Sequence, residues 1–189
     1  NLVIASVCLC FSSAFAQKIT DTLVSKKLNQ EREITIGLPA SYAQNPTKKY
    51  PLVVVLDGDY LFDAFQGVLN YGAYWDDFPE TILVGITQNK NDERSYDCSA
   101  DEMSGLPDSE SKKFFEFIGL ELMPALEKEF RIAPLKIIAG HDITAGFINF
   151  YLYKNQPLFD GYISLSPQLA NGMTEQLPQR LTEIQKQLF

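Results

Sequence analysis

The sequence has few of the residues on which metal and redox sites depend. It contains one histidine, three cysteines and one tryptophan in 189 residues. Cys8 and Cys10 lie in an uncharged apolar leader, so a processed chain would keep only Cys98. One cysteine can build neither an internal disulfide nor a cysteine-based zinc site. We therefore predict a fold stabilised by its apolar core, without a metal site or another cofactor.

Clusters of basic residues are also missing. The formal net charge is −8, and the densest positive groups are three lysine pairs: Lys26-Lys27, Lys48-Lys49 and Lys112-Lys113. Isolated pairs are typical of a solvated surface, whereas nucleic-acid binding requires many contacts to phosphates. We therefore expect a small-molecule ligand and no nucleic-acid partner.

No apolar run approaches the roughly 20 residues of a transmembrane helix. Residues 1–16 carry no charge and end in Ala14-Phe15-Ala16, the small-x-small pattern that precedes signal-peptidase cleavage. Neither leader cysteine follows the small residue that a lipoprotein signal requires. We predict a signal peptide over residues 1–16, clipped at its front, and an exported periplasmic or secreted protein without a membrane anchor.

Short apolar runs alternate with helical patterns along residues 17–189. Four runs are continuous in Val, Leu and Ile, as in strands covered on both faces: Pro51–Leu56, Thr81–Ile86, Leu135–Gly140 and Gly161–Leu165. Alternating residues predict two antiparallel strands ahead of them, Leu23–Leu28 and Glu33–Leu38. The pattern predicts a single α/β domain with a doubly wound, mainly parallel sheet. Leu188-Phe189 resembles a strand that has barely begun, which indicates that the C-terminal part is missing.

Helical and loop segments complete the prediction. The apolar spacing predicts four helices: Leu61–Leu69, Ser111–Phe130 with a kink at Pro124, Ile143–Lys154 and Thr174–Lys186. Tyr71–Pro79 is expected to be an aromatic connection. Gln88–Glu110 is polar and lacks an apolar period, so we predict a long loop.

The segment Leu135 to Gly146, L-K-I-I-A-G-H-D-I-T-A-G, has the pattern of a strand, a sharp turn and a helix. In such an elbow, small residues let strand and helix approach closely, and one side chain is lifted at the carboxyl end of the sheet. The lifted residue here is Asp142. Gly140 is the small residue on the strand side, and Thr144 stands two positions after Asp142. Asp tolerates the positive φ of an elbow better than most residues.

Four motifs in order resemble the putative-esterase family of α/β-hydrolases, which includes esterase D and enterochelin-esterase-like proteins. They are Tyr50 to Asp59 (Y-P-L-V-V-V-L-D-G-D), Phe117 to Arg131, Ile138 to Asp142, and Leu158 to Pro167 (L-F-D-G-Y-I-S-L-S-P). The resemblance covers about residues 23–189 and implies an α/β-hydrolase-type fold that acts on a small-molecule ester. The family elbow is Gly-His-Ser-x-Gly-Gly, and this chain departs from it at Asp142, Thr144 and Ala145.

The resemblance also implies positions for a site. It places the nucleophile at Asp142 and the oxyanion hole at the N–H of Ile143 and an N–H near Gly58 and Asp59. Substrate-pocket candidates are Asp57, Tyr60, Trp75, His141 and Ser166. The family's acid and histidine follow the serine by several strands, whereas the one histidine here belongs to the elbow.

Several interpretations of these residues stay open. Asp142 could attack a saturated carbon, as an elbow aspartate does in some α/β-hydrolases, or it could mark a pocket that binds without catalysis. Asp57 and Asp59 also match the paired aspartates of haloacid-dehalogenase phosphatases, with Thr87 and Lys136 as further candidates. The acidic segment from Asp92 to Asp108 could bind calcium, although the regular spacing of a calcium loop is absent. Tyr71, Tyr74, Trp75 and Phe78 could line a substrate mouth or pack in the core.

Overall fold

A computed structural model of the chain describes residues 17–88 and 92–187. The predicted signal peptide and the strand expected at Leu188 lie outside the described residues, so both stay predictions. None of the helices in the described ranges combines the length and the apolar character that crossing a bilayer requires.

Six strands form one mixed sheet in the order β1-β2-β4-β3-β5-β6. Their bounds are β1 Gln17–Ser25, β2 Gln30–Leu38, β3 Tyr50–Val55, β4 Ile82–Ile86, β5 Ile132–His141 and β6 Gly161–Leu165. Strands β4, β3, β5 and β6 are parallel neighbours. Strand β2 joins them antiparallel to β4, and β1 pairs antiparallel with β2. The predicted parallel sheet and its antiparallel N-terminal strands are confirmed.

The helices cover both faces of this sheet. Their bounds are α1 Gly58–Tyr74, α2 Glu93–Cys98, α3 Ser109–Phe117, α4 Met123–Glu129, α5 Ile143–Ile148 and α6 Met173–Gln187. On one face, Phe62 of α1 packs with Val53, Val55 and Leu83. The larger core on the other face packs α3, α4 and α5 against the alternate residues of the strands, such as Val54 and Ile138. Residues of β3 and β4 are buried on both sides, which explains why their sequences are continuously apolar.

Pro124 interrupts the long helix, as predicted, and a π-helical turn ahead of it accommodates the interruption. Residues 118–122 form a π-helical turn between α3 and α4, in which the N–H of Met123 bonds the carbonyl of Ile118. Proline lacks an N–H and cannot continue the i to i−4 ladder, so a wider turn ahead of it accommodates the gap.

Several predicted boundaries are wrong. The first strand is Gln17–Ser25 and not Leu23–Leu28, because residues 26–29 form the turn of the hairpin. Helix α1 continues to Tyr74, so Tyr71 and Tyr74 are helical and not part of a connection. Ile143–Lys154 divides into α5 and a 3₁₀ turn over residues 149–153. Gln88–Glu110 is not one loop, because it contains α2. The buried residues of α2 are Asp97 and Cys98, so it has no apolar stripe that a periodic pattern could detect.

Candidate active site at the carboxyl edge of the sheet

The elbow between β5 and α5 has the predicted geometry. Asp142 adopts φ 59° and ψ −118°, which confirms the positive φ expected there. Its N–H donates to the carbonyl of Leu165 at 2.9 Å, and its own carbonyl accepts from the Gly146 and Gln168 N–H groups at 3.0 and 2.9 Å. A Cβ on Gly140 would lie 2.8 Å from the backbone of Thr144, so only glycine permits this approach of strand and helix. The surrounding backbone thus holds Asp142 in a sparsely populated conformation.

Asp57 and Asp142 lie at the same carboxyl edge, as the parallel strands predict. Asp57 follows β3, is fully buried and also has a positive φ of 56°. The hydroxyl of Thr144, two residues beyond Asp142, lies 2.6 Å from Asp57 Oδ2 and donates to it. The same hydroxyl accepts from the N–H of His141 at 2.8 Å. Thr144 therefore connects the elbow to the end of the neighbouring strand.

Arg94, from α2, lies between the two aspartates. Its Nε donates to Asp57 Oδ1 at 2.7 Å, and its Nη2 donates to the carbonyl of His141 at 2.9 Å. Both Nη atoms lie 3.5 Å from Asp142 Oδ2. Burial lowers the pKa of Arg94, but the hydrogen bond and charge of Asp57, with smaller contributions from Tyr60 and Asp142, raise it above its ordinary value. The guanidinium stays charged and neutralises carboxylate charge at the elbow.

A second ion pair fixes the helix that carries Arg94. Arg32 of β2 bonds Asp97 of α2 through Nη1 at 2.5 Å and Nη2 at 3.1 Å, and both side chains are buried. Gln88 donates to Asp97 Oδ2 at 3.0 Å and accepts from the Asp57 N–H at 3.1 Å. Burial raises the pKa of Asp97, and the Arg32 charge opposes that shift without cancelling it. A continuous polar network therefore links the N-terminal hairpin to the elbow.

Arg94, Arg32 and Asp97 are not among the site residues predicted from the sequence. Each lies in a segment whose apolar pattern says nothing about long-range pairing. One signal was present in the sequence: Arg94 is an arginine within an otherwise acidic segment, and that segment follows one of the predicted parallel strands.

His141 and Tyr60 also lie at the elbow. Tyr60, in the first turn of α1, places its hydroxyl 3.1 Å from His141 Nδ1. Burial, followed by the charge of Asp57, raises the pKa of Tyr60. The imidazole is thus engaged by a phenol at the mouth of the site, and its backbone carbonyl is engaged by Arg94.

The other predicted residues divide between two edges of the sheet. Ile143 begins α5 and Gly58 and Asp59 begin α1, so all three lie at the carboxyl edge. Within the described residues, no hydrogen bond uses the N–H of Ile143. Ser166 follows β6 at the same edge, with φ 47°.

Trp75 is far from this edge, which corrects its place among the pocket candidates. It follows the last residue of α1, and a helix of 17 residues spans about 25 Å. Glu80, a few residues further on, pairs at 2.6 Å with Lys48, which precedes β3. Trp75 therefore lies towards the amino-terminal edge, because the chain has to return to that edge before the parallel strand β4 begins.

A cavity of about 270 Å³ adjoins the elbow. It is lined by Ile143, Gly146, Phe147 and Phe150, by Leu169 and its neighbours, and by the acidic residues Asp101 and Glu102. The free thiol of Cys98 also faces this cavity, and burial raises the pKa of that thiol well above its usual range.

The alternatives based on acidic residues meet a different environment. Arg94 and Thr144 occupy both oxygens of Asp57, and Asp59 Oδ2 accepts from the Gln88 N–H at 2.9 Å. In the acidic segment, Asp101 accepts from Ser104 and Asp108 caps α3. Across residues 17–88 and 92–187, no cluster of three His, Cys, Asp or Glu side chains could hold a metal ion.

The parallel sheet, the strained elbow and the helices on both faces define an α/β-hydrolase-type fold. The family described as "Putative esterase" matches residues 25–180. The chain belongs to that family, and esterase-like structures are among those it resembles.

Solved structures give the same result. An uncharacterised protein from Capnocytophaga ochracea is 30% identical with a TM-score of 0.81, over 88% of this chain and 45% of that one. An IroE-like serine hydrolase from Shewanella oneidensis is 26% identical with a TM-score of 0.75, over 88% and 57% respectively. The siderophore hydrolase EstA from Aspergillus nidulans shares the fold, with 20% identity and a TM-score of 0.70 over 89% of this chain and 64% of that one.

This chain therefore spans about half the length of the first two structures. A comparison with curated proteins finds no match.

Proposed function

We propose that this chain binds a small-molecule ester at the elbow of an esterase fold and does not hydrolyse it. The observation that carries the proposal is the contact of Arg94 with both Asp57 and Asp142. A carboxylate beside a guanidinium is a poor nucleophile, because its negative charge is already stabilised. Attack by Asp142 on an ester carbonyl would also form a reactive anhydride, which lowers the barrier less than the alkoxide of an activated serine does.

The histidine that follows the elbow by several strands in the family has no counterpart within residues 17–88 and 92–187. His141 is the chain's one histidine, and the ring bonds Tyr60 at the mouth of the site. A serine nucleophile needs a positioned base to take its proton, and general-base catalysis typically contributes about 10² to 10⁴ in rate.

The ligand would lie in the 270 Å³ cavity beside Ile143. The N–H of Ile143 at the start of α5 is a donor for an ester carbonyl, and Phe147 and Phe150, which line the cavity together with Asp101 and Glu102, offer apolar surface to an acyl group. Gly58 and Asp59, at the start of α1, are candidates for a second donor.

The hydrolysis test uses the 189-residue chain and p-nitrophenyl butyrate. We expect no release of p-nitrophenolate above the rate in buffer, and the Asp142→Ser variant should be equally inactive because it gains a nucleophile without a base. The Asp142→Asn variant is the control. Turnover by the unmodified chain that Asp142→Asn abolishes would overturn the proposal.

The binding test compares two tryptophan substitutions of partly exposed leucines. Leu169→Trp should fill the cavity and weaken binding of p-nitrophenyl butyrate at least tenfold in calorimetry. Leu181→Trp, on α6, is the matched control and should leave the affinity unchanged. Equal affinities in both variants would place the ligand elsewhere.

A further inference from the structure

The C-terminal end of α1 exposes an unusual number of aromatic rings. Tyr71 is 66% exposed, Tyr74 77% and Trp75 59%, and Phe78 in the following connection is 48% exposed. The rings of Tyr74 and Trp75 meet edge to face with centroids 5.0 Å apart. Single exposed apolar residues are ordinary, whereas a cluster of large rings marks a place where something binds.

A cleft of about 540 Å³ opens beside these rings. Tyr74 and Phe78 line it together with Asn70, Asp76 and the Lys48–Glu80 ion pair. Its volume lies within the roughly 300–1,000 Å³ of small-molecule sites, which distinguishes it from a flat protein-docking surface. The cleft lies at the amino-terminal edge of the sheet, opposite the elbow.

The charges of the cleft disfavour an anionic ligand. The ammonium of Lys48 bonds Glu80 at 2.6 Å, and Glu80 also accepts from the N–H of Ser41 at 3.1 Å and from its hydroxyl. These bonds lower the pKa of Glu80 although burial opposes the shift, so the pair is ionised and internally neutral. Asp76 adds a carboxylate on a chain of net charge −8, which repels anions.

The remaining polar groups suit hydroxyls. The carboxylate of Asp76 can accept hydrogen bonds, and the side chain of Asn70 can donate them. Asn70 accepts from Gln66 through Oδ1 at 3.0 Å, which directs its amide nitrogen away from that bond. A ligand that fits must present apolar C–H faces to the rings and hydroxyls to these groups.

We propose that this cleft is a binding site for a neutral saccharide. A pyranose ring has a face of C–H bonds that packs against an aromatic ring and a rim of hydroxyls that exchange hydrogen bonds with acidic and amide groups. Tyr74 provides the stacking surface, and Asn70 and Asp76 orient the hydroxyls. The site is separate from the elbow, so it does not depend on the proposed function.

The chain contains a built-in reporter for this test. Trp75 is its one tryptophan and contacts Tyr74, so intrinsic fluorescence reports on the cleft directly. The probes are cellotriose, xylotriose and triacetylchitotriose, each titrated into the 189-residue chain, with glycerol at equal mass as the solvent control. We expect at least one trisaccharide to give a saturable shift of the emission that glycerol does not give.

Two variants in the cleft and one control variant outside it test where the saccharide binds. Tyr74→Ala and Asn70→Ala should each weaken the affinity for the responding saccharide at least tenfold, while Tyr96→Ala, at another exposed tyrosine, on α2, should not change that affinity. Circular dichroism establishes that each variant is folded. Absence of a saturable shift with all three probes overturns the proposal, as does equal weakening by Tyr96→Ala. An emission shift that depends on protein concentration without saccharide would instead identify a self-association surface and would also overturn it.

Discussion

Thr144 stands where the family elbow has a glycine, and its hydroxyl changes the chemistry of the site. The side chain is fully buried, so its hydrogen bonds cannot be exchanged for bonds to water. It donates to Asp57 and accepts from the N–H of His141, which joins two strand ends. A glycine would leave the Asp57 oxygen without this partner. Thr144 and Arg94 thus satisfy the two oxygens of Asp57 together.

We predict that Thr144→Val destabilises the protein by about 1–3 kcal/mol, the cost of leaving buried polar groups unpaired. Valine has nearly the same shape, so the loss would come from the hydroxyl and not from a cavity. Thr144→Ser is the control, because it keeps the hydroxyl and loses only a methyl group. Urea denaturation of the three proteins gives the comparison, and equal losses for valine and serine would contradict the role of the hydroxyl.

The residues of the site differ in how far the sequence could reveal them. The position and backbone of Asp142 were predictable, because an elbow has a local pattern of small residues between a strand and a helix. Arg94 was not, because its partners lie 37 and 48 positions away along the chain and its own segment has no period. Trp75 was misplaced for a different reason: it lies in the crossover between the parallel strands β3 and β4, which returns the chain to the amino-terminal edge of the sheet.

Helix α3 depends on an N-terminal cap, Asp108, which in the sequence looks like one more acidic residue of its segment. Asp108 Oδ1 accepts from the N–H groups of Glu110 and Ser111 at 2.9 and 3.0 Å. Burial raises the pKa of Asp108, but hydrogen bonds from the Ser99 hydroxyl and from these N–H groups lower it by more. The ionised carboxylate therefore stabilises the start of the helix.

We predict that Asp108→Ala costs about 1 kcal/mol at neutral pH, whereas Asp108→Asn, which keeps an acceptor, costs much less. Because the folded pKa lies below the unfolded value of about 3.9, the charge contributes fully above that pH and its contribution is lost as the pH falls through the folded pKa. The stability advantage of the natural protein over Asp108→Asn should shrink during acidification. Thermal unfolding from neutral to acidic pH measures it, and a constant difference would contradict the assignment.

The overall fold was predictable from the sequence because its main signals are local. Continuous apolar runs gave β3 and β4, and their alternation with helices predicted the parallel sheet. Helix α2 was not predicted because its buried residues are Asp97 and Cys98. Hydrophobic periodicity cannot detect a helix that buries a charged side chain. Such a helix is stable only through partners elsewhere in the chain, here Arg32 on β2.

The ion pair of Arg32 and Asp97 links the N-terminal hairpin to α2, and its side chains are 1% and 7% exposed. We predict that Arg32→Met destabilises the protein by about 3–5 kcal/mol at neutral pH, because it leaves a buried carboxylate without its cation. The double variant Arg32→Met with Asp97→Asn should lose less, since the buried charge of Asp97 is then removed as well. The carboxylate of Glu93, 3.6 Å from Arg32 Nη1, is the same in both variants.

The pH dependence of that loss tests the same account. Burial raises the folded pKa of Asp97 even in the natural protein, and loss of the Arg32 charge should raise it further. A carboxyl whose folded pKa is raised is destabilising at high pH, and this penalty disappears as the pH falls below its unfolded value. The deficit of Arg32→Met relative to the double variant should therefore narrow as the pH is lowered from neutral towards about 4. Urea denaturation of both variants at several pH values measures the narrowing. If the two variants are equally stable at every pH, Arg32 stabilises the fold through packing against Phe114, whose ring centroid lies 5.3 Å from the guanidinium carbon, and not through its pairing with Asp97.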